Sequence, residues 1–200
     1  ALCIGIPSFF EWENDPVYYR RPWEITADIY EDVESRSYPG YEKAGYDYYV
    51  SHALNDTEII HVCSGIAKVN AAICTQALID AFQPDAIINA GIAGGMNNDV
   101  KVCDIVISNE VRHYDLDLHF LNDYPPYCGV FTPDEKLMTL AAECCDKFGI
   151  NYFFGRIVSG EAFITDSEVK KVIAENFKPH AVDMESSAVG HCAYRNNVPF

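Results

Sequence analysis

The sequence predicts a single α/β domain, spanning 1–200, with a mixed, mostly parallel central sheet flanked by helices. Short continuous apolar runs, such as 84–91 and 153–160, are typical of strands that are buried on both faces. Segments with helical spacing of apolar residues separate these runs, as in proteins built from strand–helix–strand units. Hydrophobic residues make up 49% of the chain, which is enough for one substantial core. The sequence contains no repeat, linker or domain break.

The first part of the chain combines a buried strand, a polar segment and a hairpin. The run at 2–7 predicts the first strand. The segment 14–45 is rich in tyrosine, proline and acidic residues, and it predicts a variable insert of loops with one short helix near 23–35. Two strands, at 46–53 and 58–64, flank the sequence LNDT and predict a β-hairpin.

Helices and strands then alternate. A helix opens at Gly65, with apolar residues at helical spacing at Val69, Ala72, Ile73, Leu78 and Phe82. Thr132 stands three residues before Glu135, which is the spacing of a capping box, and Gly149 closes the same helix. The remaining predicted elements are strands at 84–91, 102–111, 153–160 and 180–184, helices at 166–177 and 186–197, and the start of a strand at 198–200.

Charge and cysteine content narrow the classes of function. The formal net charge is −16 with only 14 Lys and Arg residues, which argues against nucleic acid or an anionic membrane as a partner. No apolar run approaches the length of a transmembrane helix. The eight cysteines form no CxxC pair and mostly lie in apolar runs, as free thiols do in a reducing compartment. The opening ALCIGIPSFF lacks a basic region, so we expect a core strand, no signal peptide and a cytoplasmic location.

Three strand ends carry residues suited to binding a ligand. In NAGIAGG (89–95) the glycines allow close approach of a ligand to the backbone, or simply form a tight turn. In SGEAFITD (159–166) Phe163 either stacks on a flat heterocycle or plugs the core. In VDMESS (182–187) Glu185 lies at a strand end beside a helix start, where it either complements the helix dipole or accepts hydrogen bonds from sugar hydroxyls.

Four ordered motifs together resemble a known family. SGIAKVNAA, NAGIAGG…KVCDIVISNE, IVSGEAFI and VDMESSAVGH…NNVPF are similar to the 5'-methylthioadenosine/S-adenosylhomocysteine nucleosidases of the purine nucleoside phosphorylase superfamily. The resemblance covers about 46–200 and 3–13. It implies a nucleoside phosphorylase-like fold, no cofactor, no metal, a small-molecule nucleoside substrate and a homodimer.

The resemblance also implies a binding role for individual residues. Met184 would pack under the ribose, and Glu185 would accept its 2'- and 3'-hydroxyls. Phe163 would stack on adenine, while the backbone of Ile164 would read the edge of the base. The other residues of the implied substrate site are Ala93, Gly94, Asp183, Phe10, Ile66 and Leu118.

The implied reaction is hydrolysis of the N-glycosidic bond of a 5'-substituted adenosine. Such a reaction passes through an oxocarbenium-like cation and needs one carboxylate that activates water and one acid that protonates the leaving group. By resemblance, Glu13 activates water. The acid is expected to be an Asp within Arg-x-x-Ser-Asp beyond Phe200, so the domain is expected to lack its C-terminal strand and helix. The substrate is left open between methylthioadenosine, S-adenosylhomocysteine, 5'-deoxyadenosine and a futalosine-type nucleoside.

Three alternatives remain from the sequence. A phosphate-dependent nucleoside phosphorylase would need basic side chains, for which the candidates are Arg20, Arg21 and Arg112. A metal enzyme would use alternating ligands on one strand face, for which the candidates are His113, Asp115, Asp117 and His119. A protein that binds purine nucleosides without turnover would keep the same binding motifs but lack the acid.

Overall fold

The structure is a computed structural model that describes residues 2–6, 36–37, 48–52 and 58–200, with side chains defined from Glu58 onward. The predicted Phe10 and Glu13 lie outside these residues, as do the arginines at positions 20 and 21 and most of the 14–45 insert. Their roles therefore stay predictions.

The first sheet is five-stranded and contains the hairpin. Its strands are β1 (Leu2–Ile6), β2 (Arg36–Ser37), β3 (Tyr48–His52), β4 (Glu58–Cys63) and β5 (Ala86–Asn89), in the order β2-β3-β4-β1-β5. β1 runs parallel to β4 and β5, while β3 pairs with β4 antiparallel, which confirms the predicted hairpin. β2 lies within the 14–45 segment and pairs antiparallel with β3. The sequence did not predict β2.

The second sheet is four-stranded. Its strands are β6 (Gly94–Gly95), β7 (Ile105–His113), β8 (Tyr152–Ser159) and β9 (Ala181–Asp183), in the order β6-β9-β8-β7. β8 runs parallel to both β7 and β9, and β6 pairs with β9 antiparallel. The two-residue β6 was not predicted, because a pair of glycines carries no strand signal. The mixed, mostly parallel α/β fold is confirmed, with its strands hydrogen-bonded as two sheets.

Five helices lie within the part of the chain that the structure describes: α1 (Ala67–Phe82), α2 (Leu118–Asp123), α3 (Glu135–Phe148), α4 (Ser167–Phe177) and α5 (Ser186–Asn196). The prediction of a capping box at Thr132 is wrong, because the N-cap of α3 is Asp134, whose carboxylate accepts the N–H groups of Lys136 and Leu137. Gly149 ends α3 in the left-handed conformation (φ 65°), as predicted. The short α2 was not predicted.

The main core packs α1 and α5 against the five-stranded sheet. Its buried residues are Ile60, Val62, Ala71, Cys74, Leu78, Ile79, Ile87, Ala188, Val189 and Ala193. The inward face of α1 differs from the predicted apolar set, since Val69 is 64% exposed and Ile73 is 47% exposed. Several small residues turn inward instead and allow α1 to approach α5 closely.

The end of the chain runs beside the first sheet. Residues 198–200 are not assigned to a strand, in contrast to the prediction, but the Ile87 N–H donates to the Pro199 carbonyl at 2.8 Å, so this segment lies along β5. Of the described helices, none is long and apolar enough to cross a membrane.

Candidate active site

The amino end of α5 lies where strands of both sheets end. β5 ends at Asn89, β7 at His113, β8 at Ser159 and β9 at Asp183, and hydrogen bonds connect these residues to the first turn of α5. In α/β sheets the carboxyl ends of parallel strands form the binding crevice. The polar residues at these ends therefore define the candidate site.

Asp183 anchors the start of α5. Its Oδ1 accepts the hydroxyl of Ser159 at 2.5 Å, and its Oδ2 accepts the backbone N–H of Ser186 at 3.0 Å and the hydroxyl of the same serine. Asn89 Nδ2 in turn donates to Ser186 Oγ at 3.0 Å. Burial raises the pKa of the Asp183 carboxyl, and the hydrogen bonds from the serines oppose that rise. Asp183 thus holds protein groups with both oxygens, and its substrate contact stays a prediction.

A second group of buried contacts continues from Ser159 to His113. The Ser187 N–H donates to Ser159 Oγ at 2.8 Å, and the Ser187 hydroxyl is in hydrogen-bond contact with His113 Nδ1 at 2.8 Å. Burial, with smaller contributions from the charges of Lys68 and His191, lowers the pKa of His113 to about 4. The imidazole is therefore neutral near pH 7. Sequence reasoning missed this network, although small polar residues directly after apolar runs were the signal for it.

Glu185 lies at the centre of the site and is only 6% exposed. Its Oε1 accepts the backbone N–H of Ala67 at 2.8 Å, and its Oε2 accepts the N–H of Met184 at 3.1 Å. Burial raises the pKa of the carboxyl, the charge of Asp183 raises it further, and the two N–H donors oppose the rise. Glu185 is the N-cap residue of α5, but its side chain makes no capping hydrogen bond to that helix and instead accepts the two N–H groups named above.

The turn before α1 is shaped to present its N–H to Glu185. Ala67 has φ 76°, a left-handed conformation that is costly for alanine, and Gly65 has φ 78°. Ile66 lies half-buried between them in an extended conformation. The predicted pocket wall Ile66 is thus adjacent to the residue that holds Glu185.

The glycine-rich segment lies beside β9. Gly94 pairs with Val182, and a Cβ added at Gly94 would lie 3.2 Å from Val182 Cγ1. Ala93 and Gly94 are both exposed. Since Val182 is two residues before Met184, the predicted Ala93 and Gly94 lie close to the predicted ribose contact.

The loop after β8 presents an aromatic side chain to solvent. Phe163 is 80% exposed, so the alternative in which it plugs the core is wrong. Ile164 packs against the cluster of Val158, Ile173 and Val182 and anchors the loop. An exposed phenylalanine next to an anchored residue suits stacking on a flat ligand.

The alternative metal ligands do not converge on one point. These four residues are His113, Asp115, Asp117 and His119. His113 contacts Ser187, Asp115 forms an ion pair with Lys68, and Asp117 caps α2. Among the described residues, no group of His, Cys, Asp and Glu is arranged to hold a metal ion. The predicted wall residue Leu118 is the half-buried first residue of α2.

The chain matches the model of the phosphorylase superfamily over residues 23–200. The protein belongs to this superfamily. The match begins inside the 14–45 segment, so much of that segment aligns with the family model.

Within this class, the chain is similar in structure to nucleosidases. One is a 5'-methylthioadenosine/S-adenosylhomocysteine nucleosidase from Colwellia psychrerythraea in complex with adenine, with a TM-score of 0.81 and 30% identity over 100% of this chain and 78% of that chain. Another, from Neisseria meningitidis in complex with methylthio-immucillin-A, has a TM-score of 0.80 and 28% identity over 100% and 82%. A futalosine hydrolase mutant of Helicobacter pylori has a TM-score of 0.80 and 25% identity over 100% and 86%. The resemblance given by the four motifs is confirmed.

Proposed function

We propose that the protein hydrolyses the N-glycosidic bond of a 5'-substituted adenosine and releases adenine. The observation that carries this proposal is the buried Glu185 carboxylate, which two backbone N–H groups hold beside Met184 at the carboxyl ends of the strands. The similarity to nucleosidases, one of them in complex with adenine, supports the same reaction.

The hydrogen bonds of Glu185 leave it free to bind a sugar. An ionised carboxylate has about four acceptor sites, and the N–H groups of Ala67 and Met184 use one on each oxygen. One site per oxygen remains, which matches two neighbouring ribose hydroxyls. Because both donors belong to the backbone, the carboxylate is fixed before the ligand arrives, and binding costs little side-chain entropy.

The base would lie between Phe163 and the glycine-rich segment. Phe163 is exposed and ready to stack, while Ile164 holds the neighbouring backbone in place. Ala93 and Gly94 offer a surface without bulky side chains. Water activation by Glu13, and protonation of the base by an Asp beyond Phe200, complete the proposed mechanism as predictions from the resemblance.

A phosphorylase is the second candidate, and the described basic residues favour it less. Arg112 Nη2 pairs with Glu110 Oε1 at 2.9 Å, and the same carboxylate oxygen accepts Arg156 Nε. The Glu110 carboxylate therefore offsets the positive charge of Arg112, which weakens it as a phosphate ligand.

The test is adenine release from methylthioadenosine by full-length protein, in phosphate-free buffer and with phosphate added. We expect release at the same rate in both buffers. Release only with phosphate would replace hydrolysis by phosphorolysis, and binding of the nucleoside without release would establish a non-catalytic binder. The same assay with S-adenosylhomocysteine, 5'-deoxyadenosine and a futalosine-type nucleoside would rank the substrates by kcat/KM.

The proposal includes a cytoplasmic homodimer. The described cysteines are all free, as expected in a reducing compartment. Val69 and Ile73 are exposed apolar residues one turn apart on α1, close to the turn that holds Glu185, and they suit burial against a second copy. Sedimentation at several concentrations should give the mass of a dimer, and Val69→Asp should shift it toward the monomer.

A further inference from the structure

An ion pair connects the amino end of α1 to the segment that follows β7. Lys68 Nζ lies 2.5 Å from Asp115 Oδ1, and the two side chains are 16% and 27% exposed. Lys68 directly follows Ala67, whose N–H donates to Glu185. One end of the ion pair is thus fixed next to the carboxylate that is proposed to bind the sugar.

The other end holds the loop that carries Phe163. Asp115 Oδ2 accepts the N–H of Glu161 at 2.9 Å, and the hydroxyl of Tyr114 donates to the Ala162 carbonyl at 3.3 Å. The ring of Tyr114 also packs on Gly160 so closely that an added Cβ would lie 2.2 Å from its Cζ. The segment 160–162 is therefore held directly before Phe163.

The Asp115 carboxylate is suited to this bridging position. Burial alone would raise its pKa, but the hydrogen bonds from Lys68 and from the Glu161 N–H, together with the charge of Lys68, lower it. The group is therefore ionised at neutral pH and bonds a different element with each oxygen. Exposed ion pairs contribute little, whereas a half-buried pair that also accepts a backbone N–H is less screened by solvent.

We propose that Lys68 and Asp115 are positioning residues that couple the sugar end of the site to the base end. The carboxylate of Asp115 ties the α1 turn, which orients Glu185, to the 160–162 segment, which presents Phe163. The ligand identity used here rests on the proposed function, while the coupling itself is a property of the fold.

Four variants separate the contributions. Lys68→Met removes the ion pair, Asp115→Asn removes the charge but keeps an acceptor for the Glu161 N–H, and Asp115→Ala removes both contacts. Lys68→Arg restores the charge and tests rescue. Lys170→Met, on the exposed face of α4, is the matched control for loss of a lysine.

The first measurement is amide hydrogen exchange, which needs no ligand. We expect exchange at Glu161 to rise about tenfold in Asp115→Ala, less in Lys68→Met, and not at all in Lys170→Met. We also expect faster exchange at Ala67 in Lys68→Met. Unchanged protection of Glu161 in a folded Asp115→Ala protein would overturn the proposal.

The second measurement separates positioning from general stability. Lys68→Met should raise KM for methylthioadenosine and the Kd of adenine about tenfold with kcat changed less than about threefold, and Lys68→Arg should restore both. Lys68→Met combined with Asp115→Asn should be no worse than the single variants, because both remove the same pair. If Lys68→Arg raised KM and Kd as much as Lys68→Met does, the result would contradict the proposal. Effects of Lys68→Met and Asp115→Asn that add in the double variant would also contradict it. If the wild type neither binds adenine nor releases it, the proposed function fails while the exchange result still decides the coupling.

Discussion

Replacing Glu185 with glutamine tests the proposed sugar contact. The two carboxylate oxygens accept the N–H groups of Ala67 and Met184 at 2.8 Å and 3.1 Å. A glutamine has one acceptor oxygen, so in either orientation its amide N–H₂ faces one of these donors. Leaving one buried N–H without an acceptor costs about 1–3 kcal/mol, and we expect the free energy of unfolding to fall by that amount.

The effect on activity follows from the same geometry. A hydrogen bond between a charged group and a ribose hydroxyl contributes about 1.5–3 kcal/mol, so the loss of one such bond should lower kcat/KM about 10- to 150-fold. The assay is adenine release from methylthioadenosine and from its 2'-deoxy analogue. Because the analogue lacks one of the hydroxyls, Glu185→Gln should lower kcat/KM much less for the analogue than for methylthioadenosine.

For each nucleoside, the loss is the kcat/KM of the wild type divided by that of Glu185→Gln. Comparing the two losses cancels the intrinsic difference in reactivity between the nucleosides. Glu175→Gln on α4, whose side chain is exposed, is the control and should change kcat/KM for neither nucleoside. Equal losses for both nucleosides would refute the contact between Glu185 and the 2'-hydroxyl, even if activity fell strongly.

Two further predictions concern the buried network. The pKa of His113 is lowered to about 4 in the native state, against about 6.5 in the unfolded state. The neutral imidazole therefore contributes fully to the free energy of unfolding above pH 6.5. About 3 kcal/mol of this free energy is lost as the pH falls to about 4. Burial also lowers the pKa values of His61 and His191, so stability falls in every variant as the pH drops. Denaturant unfolding at pH 7 and pH 4 should therefore show a loss that is about 3 kcal/mol smaller in His113→Gln than in the wild type and in His119→Gln. Ser159→Ala removes a fully buried hydroxyl that donates to Asp183 and accepts the N–H of Ser187. We expect it to lower the free energy of unfolding by about 2–4 kcal/mol. The control Ser167→Ala, on an exposed helix end, should change the free energy of unfolding by less than about 0.5 kcal/mol. A loss below about 1 kcal/mol at Ser159 would contradict its bridging role.

The sequence predicted elements whose signals are local. β5, β8 and β9 are apolar runs that end in small or polar residues, and these runs identified the strands with their ends to within two residues. The position of Glu185 between a strand and a helix also followed from the sequence, and the structure places it there. The exposed face of α1 did not follow, because the helix is apolar nearly all round and local spacing cannot decide which side packs inward.

The contacts that define the site were not predictable from local patterns. One of the two donors that hold Glu185 is Ala67, which lies 118 residues earlier in the chain. The bridge between Lys68 and Asp115 spans 47 residues, and the contact between Ser187 and His113 spans 74. Such pairs form only when parallel strands align their carboxyl ends, so tertiary structure was needed to find them.

The most direct test of the proposed reaction is the fate of the sugar in water labelled with heavy oxygen. Full-length protein would be given methylthioadenosine with phosphate present, and the sugar product would be analysed by mass spectrometry. Hydrolysis predicts a free 5'-methylthioribose that carries one labelled oxygen at its anomeric carbon. A sugar 1-phosphate without the label would contradict it and show that phosphate is the nucleophile.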